Sequence, residues 1–161
     1  MTKITGNAFT YTRDDIDTDL IIPARYLTTS DQAELAIHAM EPLGNAELLK
    51  GPDPIVVAGK NFGCGSSREH AVWALVGAGV KAVVADSFAR IYFRNSVNFG
   101  LFPVVLAGAS EKIKQGDKLE IDTERNTVKN LTQGTEHPFE PIPEFLREIV
   151  IAGGLLNTLS K

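Results

Sequence analysis

Nine consecutive residues, Gly63-Cys64-Gly65-Ser66-Ser67-Arg68-Glu69-His70-Ala71, place two hydroxyls, a thiol, a guanidinium, a carboxylate and an imidazole side by side. They follow the apolar run Ile55-Val56-Val57-Ala58-Gly59 and precede residues with helical spacing, so the pattern is strand, glycine turn, helix. A helix start offers unpaired N–H groups and a positive dipole end, which together seat an anion. Arg68 adds a fork that can grip a carboxylate with two bonds, and Ser66 or Ser67 adds a hydroxyl for proton transfer. The chemistry suggested is proton abstraction from a small, multiply charged acid. A structural reading competes with it: Ser66-x-x-Glu69 has the spacing of a capping box, in which serine caps the helix and glutamate reaches back. If Ser67 is the cap, Ser66 is left available for chemistry.

Other glycine-loop chemistries do not fit. Position 68 is Arg where a dinucleotide fingerprint requires its third glycine, and no Gly-Lys-Ser/Thr or Gly-x-Ser-x-Gly occurs. Asp15-x-Asp17-x-Asp19 resembles the opening of a calcium loop. Leu20, however, stands where glycine is required and Tyr26 where glutamate is required, so turn and capping roles fit better. The three histidines, His38, His70 and His137, show no ligand spacing, and no metal site is expected. Cys64 alone cannot hold an iron–sulfur cluster, which needs several thiolates. Beside a helix start it could be reactive, but a small packed residue is the expected role. Arg90 and Arg94 share a helix face, where they could add positive field, contact a partner or simply face water.

The elements that must position these groups are clearest in the middle third. Ile55–Gly59, Ala82–Ala85 and Phe102–Leu106 read as short strands separated by helices near Arg68–Ala78 and Phe88–Asn98. That alternation predicts parallel strands with helical crossovers. Towards the N-terminus, Lys3–Tyr11 reads as a strand and Asp14–Asp19 as a polar turn. A helix is expected near Gln32–Met40, capped by Ser30 or Asp31, and Gly44–Pro54 reads as loop. Lys118–Asp122 and Thr127–Leu131 suggest an antiparallel hairpin. A last helix should open at Pro143, bury Phe145, Leu146, Ile149 and Val150, and stop at Gly153-Gly154. The expected fold is α/β, with a parallel-strand core and added antiparallel strands.

At 161 residues and 43% hydrophobic, the chain is expected to form a single domain over 1–161 with a real core. Its net charge of −4 disfavours nucleic acid and anionic membranes as partners. Between Lys60 and Arg94, however, five basic residues face two acidic ones, an excess that falls on the suspected anion site. No apolar run reaches spanning length, and the N-terminus lacks the apolar core of a secretion signal, so a cytoplasmic location is the expectation.

The nine-residue segment resembles the serine–arginine signature of the swivelling domain of the aconitase superfamily. Asp17-Thr18-Asp19-Leu20-Ile21-Ile22-Pro23-Ala24-Arg25-Tyr26-Leu27, Ser87-Phe88-Ala89-Arg90-Ile91 and Arg94-Asn95 match the same family in order and spacing. Pro143-Glu144-Phe145 and Ala152-Gly153-Gly154 fit as well, so the resemblance covers nearly the whole chain. It implies a three-layer β/β/α swivelling domain that serves as the small subunit of a two-subunit hydro-lyase. It further implies that Ser66 is the catalytic base, with Ser67 and Arg68 binding substrate carboxylate and stabilising the serine alkoxide.

The resemblance also makes Arg25, Tyr26, Leu27, Thr28 and Thr29 a loop over the substrate's variable group. Homoaconitase-like members often carry an arginine in that loop to bind an extra carboxylate. None follows Tyr26 here, which favours an uncharged substituent such as isopropyl on a malate. The family's cluster cysteines lie on the large subunit. The resemblance therefore implies no cofactor on this chain and a [4Fe-4S] cluster on its partner, in a heterodimer or heterotetramer. Dimethylmalate, citramalate or homoaconitate types remain alternatives, as does a non-catalytic carboxylate-binding module.

Overall fold

The structure is a computed structural model that describes residues 3–159. Its frame is one seven-stranded sheet in the order β4-β3-β2-β1-β5-β6-β7. The parallel half comprises β1 (Lys3–Thr10), β2 (Pro54–Ala58), β3 (Ala82–Ala85) and β4 (Phe102–Val105). From β1 the sheet continues antiparallel through β5 (Lys118–Asp122), β6 (Thr127–Asn130) and β7 (Thr135–Pro138). The helices in chain order are α1 (Thr18–Ile21), α2 (Gln32–Ile37), α3 (Ala46–Lys50), α4 (His70–Gly77), α5 (Arg90–Asn98), α6 (Ala109–Lys112), α7 (Glu144–Ile151) and α8 (Leu155–Leu159).

Every residue of β2 and β3 is buried, which is why, after Pro54, both read as Val, Ile and Ala runs rather than as an alternation. Their side chains divide between two cores. Val56, Ala58, Val83 and Ala85 pack with Ile21 of α1, Leu35 of α2, and Ala71, Ala74 and Leu75 of α4. On the opposite face Ile55, Val57 and Val84 share a core with Leu119, Ile121 and Val128 of the antiparallel half and Val150 of α7. The curl that lets both halves enclose one core produces the β/β/α layering, and the expected α/β class holds.

Local differences from the sequence expectations have identifiable causes. Asp14–Asp19 is not a polar turn throughout: Asp17 caps a single helical turn over Thr18–Ile21, accepting the Leu20 N–H at 2.9 Å. The second helix is capped by Asp31, not Ser30, through the Ala33 N–H at 2.9 Å. Gly44–Pro54 contains α3, a five-residue helix hidden among turn-forming residues. Edge strand β7 reads Thr-Glu-His-Pro and carries no apolar alternation to announce it. Phe145 is 65% exposed whereas Val150 is buried. The two lie roughly 140° apart around a helix of 3.6 residues per turn, so they cannot share one buried face. The chain also resumes beyond Gly153-Gly154 as α8.

Candidate active site

Beyond β2, residues 59–65 run as a bent segment between the loops that follow β1 and β3. On the β1 side, the N–H groups of Gly59, Gly63 and Thr18 donate to the carbonyls of Arg13, Ile16 and Cys64 at 3.0, 2.8 and 2.8 Å. Toward β3, the Phe62 N–H donates to Ser87 O at 3.0 Å and the Ala89 N–H to Phe62 O at 2.9 Å. Short bridges pair Asp17 with Cys64 and Phe62 with Phe88. The serine–arginine segment is thereby held at the carboxyl ends of the parallel strands, where open α/β sheets present ligands.

Gly63 and Gly65 make the bend with φ of +83° and +97°. A Cβ on Gly63 would lie inside the van der Waals envelope of the buried Tyr92 ring, whose hydroxyl donates to Ala71 O of α4 at 2.9 Å. Gly63→Ala is therefore expected to lower unfolding free energy by about 3 kcal/mol or more, adding left-handed strain to overpacking. The midpoint of urea denaturation measures it; a loss below about 1 kcal/mol contradicts this account of the turn.

The bend also decides the competition over Ser66. Helix α4 begins only at His70, and Glu69 occupies its cap position without a side-chain cap bond. Neither serine caps it, and the capping-box reading is overturned. Instead the Ser66 hydroxyl meets the hydroxyl of Thr18, 3.2 Å away at the start of α1. Thr18 is 2% exposed, so one side of Ser66 rests on a buried, fixed hydroxyl while Ser66 itself is open to solvent. Arg68 lies two residues on; its Nη1 donates to Asp19 Oδ1 at 3.3 Å, and its other nitrogens have no protein partner among the described residues. The Ser67 carbonyl accepts from Asn95 Nδ2 of α5 at 3.5 Å, leaving its exposed hydroxyl available.

Asp19 connects this cluster to the Arg25–Thr29 turn. The carboxylate oxygen that meets Arg68 also accepts the Ala24 N–H at 3.1 Å. The turn opens as a 3-10 helix over Ala24–Tyr26. Arg25 bonds Glu41 at 2.9 Å, and Thr29 Oγ1 accepts the Asp31 N–H at 3.0 Å. Leu27 is half-buried and Thr28 is exposed. The resemblance placed the Asp15–Asp19 segment at the edge of the site without giving Thr18 or Asp19 a role; their contacts with Ser66 and Arg68 supply one.

Cys64 has the wrong electrostatics for a reactive thiol. Burial, with Asp15 and Asp17 nearby, pushes its pKa up and keeps it protonated. Among the described residues no three His, Cys, Asp or Glu side chains lie together where they could hold a metal ion. A lone thiol does not fit an iron–sulfur cluster, which needs several thiolates. An apolar cavity of about 250 Å³ lined by Ile4, Lys81, Phe102 and Val150 contains none of the serine–arginine residues. Arg90 and Arg94 border a separate groove on α5 with Phe93, Val97 and Leu146. No helix among the described residues is long and apolar enough to cross a membrane.

Residues 10–109 match the aconitase C-terminal domain, and the chain belongs to that family. Within it, the chain is similar to small subunits of 3-isopropylmalate dehydratase. The Nautilia profundicola protein of that name is 52% identical over 98% of this chain and 94% of its own length. The Pyrobaculum aerophilum protein is 52% identical over 98% and 97%. The crystal structure of 3-isopropylmalate dehydratase from Methanocaldococcus jannaschii superposes with a TM-score of 0.91. It is 43% identical and covers 98% of this chain and 93% of that one.

Proposed function

We propose that this chain is the small, single-domain subunit of a cytoplasmic 3-isopropylmalate dehydratase, interconverting 2- and 3-isopropylmalate in leucine biosynthesis. The pairing of Ser66 with the buried Thr18 hydroxyl, two residues from a half-paired Arg68, carries this reading. A serine works as a base only when its alkoxide is stabilised. The Thr18 hydroxyl can donate to Ser66 Oγ, and the Arg68 charge favours an anion nearby. Ser66 alkoxide takes the proton from the carbon next to a substrate carboxylate, and hydroxide leaves the adjacent carbon to give an alkenyl diacid. Hydroxide then adds to the carbon that lost the proton, Ser66 returns that proton to the carbon that lost hydroxide and is an alkoxide again, and the hydroxyl has moved by one carbon. Ser67 and Arg68 hold carboxylate oxygens throughout, Arg68 with the nitrogens that Asp19 leaves unpaired.

Departure of hydroxide calls for a Lewis acid, which a [4Fe-4S] cluster on the large subunit would supply; this chain's residues do not fit one. The exposure of Ser66 and Ser67 supports an open half-site completed by that partner. Giving the assembled complex 2-isopropylmalate, citramalate, dimethylmalate and homocitrate side by side tests the substrate. A kcat/KM highest for 2-isopropylmalate is expected; a clear preference for homocitrate overturns the alkyl assignment.

Thr18 acts through Ser66 as a positioning residue. Losing one neutral hydrogen bond of about 0.5–1.5 kcal/mol predicts that Thr18→Val lowers kcat roughly 2- to 13-fold, and that Thr18→Ser restores it. Equal losses in both variants contradict the role.

A further inference from the structure

Glu41, outside every motif of the serine–arginine site, gathers three side chains around one carboxylate. Its Oε1 accepts from Arg25 Nη2 at 2.9 Å and from the Tyr26 hydroxyl at 2.8 Å. Its Oε2 lies 2.6 Å from His38 Nδ1. The Tyr26 and His38 rings are stacked, with centroids 3.7 Å apart and planes 4° from parallel. The Arg25 guanidinium carbon lies 4.7 Å from the centroid of the Tyr26 ring. Hydrogen bonds from His38 and Tyr26 hold the Glu41 carboxyl below its usual range, so it is charged at neutral pH. Glu41 opens its own 3-10 turn, over Glu41–Leu43, and the preceding Met40 N–H donates to Ile21 O of α1 at 2.7 Å. The carboxylate thus stands on a backbone already tied to α1, and it clasps the first two side chains of the Arg25–Thr29 turn.

We infer that Glu41, with His38 as the stacking platform, fixes the pose of the Arg25–Thr29 turn and thereby sets which substituent the site accepts. The selectivity part rests on the proposed function; the positioning part does not. The geometry gives the turn two anchors. Asp19 ties Ala24 to Arg68, and Glu41 ties Arg25 and Tyr26 to the end of α2. Between Tyr26 and the Thr29–Asp31 contact lie Leu27, half-buried, and Thr28, exposed, the turn's candidates to meet a ligand. An alkyl group makes few directional contacts, so discrimination by one or a few methylenes depends on walls that do not yield. Removing Glu41 frees both side chains at once, whereas Tyr26→Phe keeps the stack and loses a single bond.

Two readouts test the inference. In the isolated chain, Glu41→Ala is expected to raise deuterium exchange of amides 24–29 at least threefold, with amides 55–59 of β2 unchanged. Tyr26→Phe should give a smaller rise. Unaltered exchange at 24–29 overturns the positioning role. In the assembled complex, Glu41→Ala should shrink the kcat/KM ratio of 2-isopropylmalate to citramalate by five- to tenfold, the KM for 2-isopropylmalate rising more than its kcat falls. Both substrates falling in proportion, or neither changing, overturns the selectivity role. A wild-type complex that ignores both substrates contradicts the proposed function instead, and exchange then decides the positioning role by itself.

Discussion

Replacing Ser66 by alanine in the assembled complex should lower kcat by about 10²–10⁴-fold, the range for losing a positioned general base. KM should change far less. The Ser66 hydroxyl is exposed, bonds only Thr18 among the described residues and caps no helix, so its removal leaves the fold intact. That separates the catalytic reading from the structural one. A capping serine would cost about 1 kcal/mol of stability and little turnover; a base costs turnover and almost no stability. Thermal unfolding of the isolated chain, set beside steady-state kinetics of the complex, distinguishes them. Turnover within a few-fold of wild type rules out Ser66 as the base.

Arg68→Lys should weaken substrate binding as well as turnover. Arg68 already gives one η nitrogen to Asp19, and grips substrate with the rest of a rigid fork. Lysine offers a point charge that cannot serve Asp19 and a carboxylate in that geometry together. Each charge-assisted hydrogen bond is worth about 1.5–3 kcal/mol, so kcat/KM should fall roughly 10- to 150-fold for each bond not reproduced. The Asp19 contact makes the effect informative. It is partly exposed and contributes little stability, so a large kinetic loss with normal unfolding places the effect at the substrate. A rise in KM should accompany the fall in kcat. Unchanged KM contradicts the carboxylate-binding role.

The sequence carried the parallel strands well because β2 and β3 are buried on both faces and admit only compact apolar residues. It carried β7 poorly because an edge strand with neighbours on one side tolerates Thr-Glu-His-Pro. The capping-box spacing around Ser66 was a true local pattern with a false consequence. Gly63 and Gly65 turn the backbone so that the helix starts at His70, a choice made by packing against Tyr92 and not by Ser66 and Glu69. Thr18 meets Ser66 across 48 positions of chain, a contact that only the shared pairing of the 13–18 and 59–65 segments creates. The Glu41 cluster was hidden for the same reason. Arg25, Tyr26, His38 and Glu41 have no motif spacing as a set and converge because the Met40 N–H ties the start of the Glu41–Leu43 turn to Ile21 of α1.

The most direct measurement is of the half-site itself. Purified chain is mixed anaerobically with cluster-loaded large subunit, and absorbance of the unsaturated diacid formed from 2-isopropylmalate is followed. The account predicts no signal from either chain alone, and activity that rises with added small subunit until the two are matched. Turnover by the large subunit alone, or a complex that assembles and leaves 2-isopropylmalate untouched, would contradict it.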